Sequence, residues 1–188
     1  MGRFLNPGNG GFRKIIKPET YVDKTGIIGY LNEWIDTDNR FVCVSRARRF
    51  GKTVAARTIQ AYYDNSCDSH DLFAPYEIAR DPSYEEHINK YDVIGFDVQS
   101  FFLLDDDPQA FIKRLETAVL EEVCAKWSDI DGLKDMRLVN ALIKVHETTG
   151  AKFVFVIDEW DAVFRYYPDD EDLQKNWIHF LRDMFKQE

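Results

Sequence analysis

Apolar residues follow two rhythms along this chain: short unbroken runs, and longer stretches with apolar positions three and four apart. Three of the runs are short and largely β-branched or aromatic. They are Phe41-Val42-Cys43-Val44-Ser45, Val93-Ile94-Gly95-Phe96-Asp97-Val98 and Phe153-Val154-Phe155-Val156-Ile157. Each has the composition of a strand buried on both faces. Helical spacing fills the intervals. Asp23 is a good N-cap for a helix carrying Ile27, Ile28, Leu31, Trp34 and Ile35 on one side. Further helices are expected over about 52–63, after Asp107-Pro108, over about 133–149 up to Gly150, and from about Glu171. In the last of these Leu173, Trp177, Phe180, Leu181 and Met184 share a face. Residues 1–19, rich in Gly, Pro and Asn, read as loop. Residues 64–83 read as irregular, followed by a short helix near 84–89. Strands alternating with helices predict an α/β fold with a mainly parallel sheet.

Composition narrows this picture. The 188 residues suit one ordinary domain with a sizeable core. Lys and Arg number 24 against 33 Asp and Glu, for a net charge of −9. That balance argues against broad electrostatic binding to nucleic acid or an anionic membrane, while leaving room for a local basic site. Cys43, Cys67 and Cys124 are too few and too scattered for a disulfide framework or a zinc ligand set, as are the four histidines. There is no signal stretch, and no apolar run approaches the roughly 18 residues of a membrane span. A reducing, cytoplasmic setting is expected. Asp105, Asp106 and Asp107 form an acidic run that helix capping and helix-dipole complementarity explain without a metal.

Candidate chemistry sits in two places. The first is Ser45-Arg46-Ala47-Arg48-Arg49-Phe50-Gly51-Lys52-Thr53, between the first expected strand and its helix. The phosphate-binding loop pattern is G-x-x-x-x-G-K-[ST]. Gly51, Lys52 and Thr53 match it; Arg46 stands where the first Gly belongs. Gly51 permits close backbone approach to phosphate, and the amides that open the helix can hold phosphate oxygens. Lys52 can reach the β- and γ-phosphates of ATP, and the Thr53 hydroxyl can ligate Mg²⁺. Phe50 and Val54 flank this contact. Arg46, Arg48 and Arg49 either add positive charge near a triphosphate or form an exposed basic turn. The triplet alone arises by chance in about one chain in ten of this length. Its place between a strand and a helix is what gives it weight.

The second place is the end of the third run, where the apolar segment stops at Asp158-Glu159-Trp160-Asp161. Ligands in parallel sheets bind at strand C-termini, and paired carboxylates there suit metal chemistry. Asp158 is expected to hold the Mg²⁺ shell, directly or through water. Glu159 is expected to orient and polarise an attacking water. Asp161 reads better as a cap for the next helix.

With both motifs in hand, the chain resembles the AAA-ATPase-like family of bacterial proteins over nearly its whole length. The resemblance is carried by Phe4-Leu5-Asn6-Pro7-Gly8, Tyr21-Val22-Asp23-Lys24-Thr25, the 45–53 loop, Tyr91-Asp92-Val93-Ile94 and Ile157-Asp158-Glu159-Trp160-Asp161. The family loop usually reads R-P-R-R-F-G-K-[ST], so Arg46 is typical and Ala47 replaces a proline. The resemblance implies a P-loop NTPase three-layer sandwich, ATP and Mg²⁺ as ligands, and by analogy hydrolysis. Members often carry a PD-(D/E)XK nuclease-like region after the ATPase part. Tyr21 to Thr25 contacts the nucleotide base or ribose, or serves as a helix start anchored by its aromatic ring.

A Glu directly after the metal-binding Asp marks the P-loop class with an extra strand between the loop strand and the acidic strand. That strand comes later in sequence, and nothing after Asp161 reads as one. The chain is therefore expected to be C-terminally incomplete, lacking late core strands and the nuclease-like region. A missing C-terminal domain or a homo-oligomer would supply the absent neighbours. Two functions compete. One is Mg²⁺-dependent ATP hydrolysis. The other is a nucleotide-binding switch module with little or no turnover, serving a nucleic-acid-associated protein whose effector region lies elsewhere. A missing arginine finger alone can cost about 10³–10⁵ in rate.

Overall fold

The computed structural model describes residues 2–45, 50–102 and 107–185. Arg46, Ala47, Arg48 and Arg49, together with Asp105, Asp106 and the 186–188 end, lie outside the described residues. The chain forms two compact units, one of Met1–Gly95 with Lys152–Val156, the other of Phe96–Ala151 with Ile157–Glu188.

The first unit holds α1 (Gly10–Ile15), α2 (Gly26–Asn32), α3 (Lys52–Tyr63), α4 (His70–Phe73) and α5 (Tyr84–His87). It also holds most of the two strands β1 (Asp92–Asp97) and β2 (Phe153–Asp158), which pair in a small parallel sheet. The class is thus α/β, compatible with a P-loop-like domain. Aromatic side chains dominate the core here. Phe12 stacks on Phe73 at 4.8 Å, and Tyr62 and Tyr63 are buried beside them. Buried hydroxyls need partners: Tyr62 donates to the Tyr84 carbonyl (2.9 Å) and Tyr63 to Asn32 Oδ1 (2.6 Å).

Residues 1–19, expected as loop, contain helix α1, and the stretch before it is tied down. Leu5 bridges Ile94 in antiparallel fashion, and the Gly95 amide donates to the Phe4 carbonyl at 2.8 Å. Asn6 works as a splint along β1. Its carbonyl oxygen accepts from the Val93 amide (2.8 Å) and its amide nitrogen donates to Asp92 Oδ1 (2.7 Å). The Gly8 amide donates to Asp64 Oδ2 at 2.6 Å, fixing the segment to the end of α3. These contacts give Phe4 to Gly8 and Tyr91 to Ile94 a shared structural role.

The second unit holds α6 (Val98–Phe102), α7 (Phe111–Lys126), α8 (Leu138–Thr149), α9 (Ala162–Tyr166) and α10 (Glu171–Phe185). Phe111, Leu115, Val119 and Val123 recur at four-residue intervals on α7 and are fully buried. Asp107 accepts from the Gln109 amide at 2.9 Å and Pro108 opens the 3₁₀ turn that leads into α7. Gly150 ends α8 in the left-handed conformation at φ 74°. Trp177 of α10 is fully buried and packs against Phe111 at 5.4 Å.

Three further expectations need correction. Residues 41–45 form no strand: they lie outside the sheet and are exposed, with Phe41 at 51% and Val44 at 42% of full accessibility. Composition marks such a run as strand-compatible, but a strand exists only through hydrogen bonds to a neighbour. Second, α2 starts at Gly26 with Thr25 as N-cap rather than at Asp23, whose carboxylate accepts from the Thr25 and Glu77 amides. Residues 64–83, expected as irregular, contain α4 and a 3₁₀ turn, Glu77–Arg80. The three cysteines are unpaired, and no helix among the described residues is long and apolar enough to cross a membrane.

Candidate functional site

The loop half of the predicted site lies in the first unit. Helix α3 is buried over its C-terminal half, at Thr58, Ala61, Tyr62 and Tyr63. Its far end is held by backbone contacts, with the Asn89 amide donating to the Tyr62 carbonyl (2.8 Å) and the Tyr91 amide to the Tyr63 carbonyl (3.0 Å). The opposite end carries the motif. Gly51 is the N-cap, at φ 83° and ψ 25° in the left-handed region. A residue with a Cβ pays roughly 1–2 kcal/mol for that conformation, which explains glycine here. The Ala55 amide donates to the Gly51 carbonyl at 2.9 Å, closing the first helical turn. No described side chain caps the helix start. No described side chain therefore competes with phosphate for the start of this helix, and the helix dipole favours an anion there.

Lys52 and Val54 are half-buried, whereas Thr53 is exposed. Phe50 is 63% exposed just before the turn. Arg46, Arg48 and Arg49 fall outside the described residues. Lys24, named in the sequence only as part of the Tyr21 to Thr25 segment, has its Nζ 3.7 Å from where a Cβ on Gly51 would sit. No local pattern signals that approach across 27 positions.

The acidic half lies in the second unit. Asp158 ends β2, and its Oδ1 accepts from the Glu159 amide at 3.0 Å. Glu159 has φ 52°. The other described non-glycine residues with positive φ are Asn6, Asp36 and Asn89, types that tolerate this region. Glutamate is not such a type, so Glu159 is the strained position of the four. The turn is anchored from α10, where the Trp177 indole donates to the Trp160 carbonyl at 3.0 Å.

Arg165, unremarked in the sequence, ties this region together. Its guanidinium pairs with the Glu159 carboxylate and reaches Asp161 at 3.1 Å, one helical turn away. Asp161 is the N-cap residue of α9 but makes no side-chain capping hydrogen bond, so the expected cap is an ion pair instead. Asp97 at the end of β1 is a third neighbouring acid. Its surface is open to water, yet the protein packed around it, and then the charges of Asp158 and Glu159, raise its pKa above 3.8. The Gln99 amide works against that rise. Like charges held together in this way favour a cation nearby. Among the described residues, no three His, Cys, Asp or Glu side chains are arranged to hold a metal ion by themselves. Magnesium does not require such a cage: one or two carboxylates with phosphate and water suffice.

A family model described as a predicted AAA-ATPase matches residues 8–188. The chain belongs to the AAA-ATPase-like family. No curated protein and no solved structure matches it. ATP and nucleotide binding attach to this AAA-ATPase-like chain at the level of its family.

Proposed function

We propose that this chain binds ATP with Mg²⁺ through Gly51, Lys52 and Thr53 and hydrolyses it with help from Asp158 and Glu159. We infer with it the three-layer P-loop sandwich as the fold. The observation that carries the reading is the left-handed Gly51 opening α3, uncapped by any described side chain and followed directly by Lys52 and Thr53, in a member of a predicted ATPase family.

In this reading the α3 amides and the Lys52 ammonium hold phosphate oxygens. The Thr53 hydroxyl and the Asp158 carboxylate provide oxygen ligands for magnesium. Phe50 and Val54 border the phosphate contact, and Arg46, Arg48 and Arg49 add positive charge along the loop. Bound magnesium supplies neutralisation of charge on the phosphates. Glu159 accepts a hydrogen bond from the attacking water and orients it. Arg165 holds that carboxylate in the described arrangement, so Glu159 must exchange this partner for water before it can act.

Calorimetric titration with ATP, with and without Mg²⁺, tests the proposal on wild type and Lys52→Ala. Wild type should bind more tightly with Mg²⁺, and Lys52→Ala should lose at least about tenfold, equivalent to about 1.4 kcal/mol. Unchanged affinity in Lys52→Ala, or no binding by wild type, would refute it.

A further inference from the structure

The segment Tyr21 to Thr25 approaches Gly51 through Lys24, and its residues divide their roles sharply. Tyr21 packs edge-on against Phe12 (5.8 Å) and Tyr76 (5.3 Å). Asp23 bridges two backbones: Oδ1 accepts from the Thr25 amide and Oδ2 from the Glu77 amide, both at 2.8 Å. Thr25 is fully buried, and its hydroxyl oxygen accepts from the Ile78 amide at 3.2 Å. Lys24 stands between two residues committed to structure, and it is exposed. Its ammonium rests against Gly51, 3.7 Å from the position of an added Cβ. Among the described residues it forms no ion pair, since the adjacent Asp23 carboxylate is turned to the Glu77 amide.

We propose that Lys24 is a second phosphate-contacting cation of the loop, acting beside Lys52 on a polyphosphate. This deepens the nucleotide-binding reading and rests on it for the identity of the ligand. A long flexible lysine is ordinarily free to wander. Here both flanking residues are pinned, so its backbone is held where the ammonium can reach the turn at Gly51. A cation a few ångströms from several phosphate charges gains Coulomb energy that water only partly screens. A contact to the base or ribose would make a different demand, because an ammonium has nothing to neutralise there.

The test uses the whole chain, with ATP and inorganic tripolyphosphate as probes. Lys24→Met should weaken both by a similar factor of about tenfold, and Lys24→Arg should restore most of the loss. The wild type should show the steeper salt dependence. Amine acetylation of wild-type Lys24, followed by mass spectrometry, should slow when tripolyphosphate saturates the protein; this readout needs no variant to fold. The proposal is overturned if Lys24→Met binds tripolyphosphate as well as wild type does, or if acetylation of Lys24 is not slowed. Loss confined to ATP would also overturn it, pointing to the base or ribose. If wild type binds tripolyphosphate but not ATP, the ATPase reading fails while Lys24 is still tested. If it binds neither, both fail.

Discussion

Replacing Gly51 with alanine separates the two duties assigned to that residue. The added Cβ would meet Lys24 Nζ at 3.7 Å and Val54 Cβ at 3.9 Å, ordinary contact distances. No clash with a described residue follows, so the folding cost is that of a left-handed alanine, about 1–2 kcal/mol. For a chain of this size each kcal/mol lowers Tm by about 2–4 °C, which gives an expected drop of about 2–8 °C. Gly132 supplies a matched control in the other unit. It sits at φ 78°, and a Cβ there would lie 3.9 Å from Lys144 Nζ. Gly132→Ala should therefore destabilise by a similar amount. Only Gly51→Ala should also weaken ATP, because only there does the methyl occupy the approach of a phosphate to helix amides. Thermal melts of both variants and ATP titrations of both decide the matter. If the two lose equal stability and bind ATP equally well, Gly51 is a turn residue and no phosphate cradle.

Two further outcomes follow from the same geometry. Glu159→Gln should slow steady-state phosphate release by about 10²–10⁴-fold while retaining ATP binding; equal inactivity of wild type and variant, with both binding ATP, would remove Glu159 from the chemistry. Asp23 should set part of the acid response. Against the cost of its partial burial, the Glu77 and Thr25 amides hold its pKa below the ordinary 3.8. A depressed carboxylate stabilises the fold above its ordinary pKa, and that contribution disappears as pH falls through the depressed value. The stability gap between wild type and Asp23→Asn, from urea melts, should therefore be widest near neutral pH and close below about pH 4. A gap that widens on acidification would contradict the assignment.

What could be read from the sequence was what depends on near neighbours. Helix α3 begins and ends where its pattern places it, at Lys52 and Tyr63, because a helix satisfies its own backbone. Asp107-Pro108 and Gly150 announce their turns for the same reason. Residues 41–45 carry the same apolar signal as 153–157, yet only the second is a strand. The difference lies in the partner chain segment, which no local window contains. Asn6 makes the point from the other side. It sits in a stretch rich in Gly, Pro and Asn, and its amide pairs along β1, 87 residues away at Val93.

The candidate site divides along the same line, and the division is informative. Lys52, Thr53, Asp158 and Glu159 stood out because each belongs to a short pattern with a mechanism. Lys24 and Arg165 did not, because each matters through what it lies against: Gly51 for one, Glu159 and Asp161 for the other. Local rules also fail at one telling place. Asn and Asp occupy three of the four described positive-φ positions outside glycine, as their side chains allow, while the fourth is Glu159. A glycine or asparagine would relax that turn, so backbone preference does not select glutamate there. Its carboxylate, held by Arg165 at the end of β2, is the reason that remains.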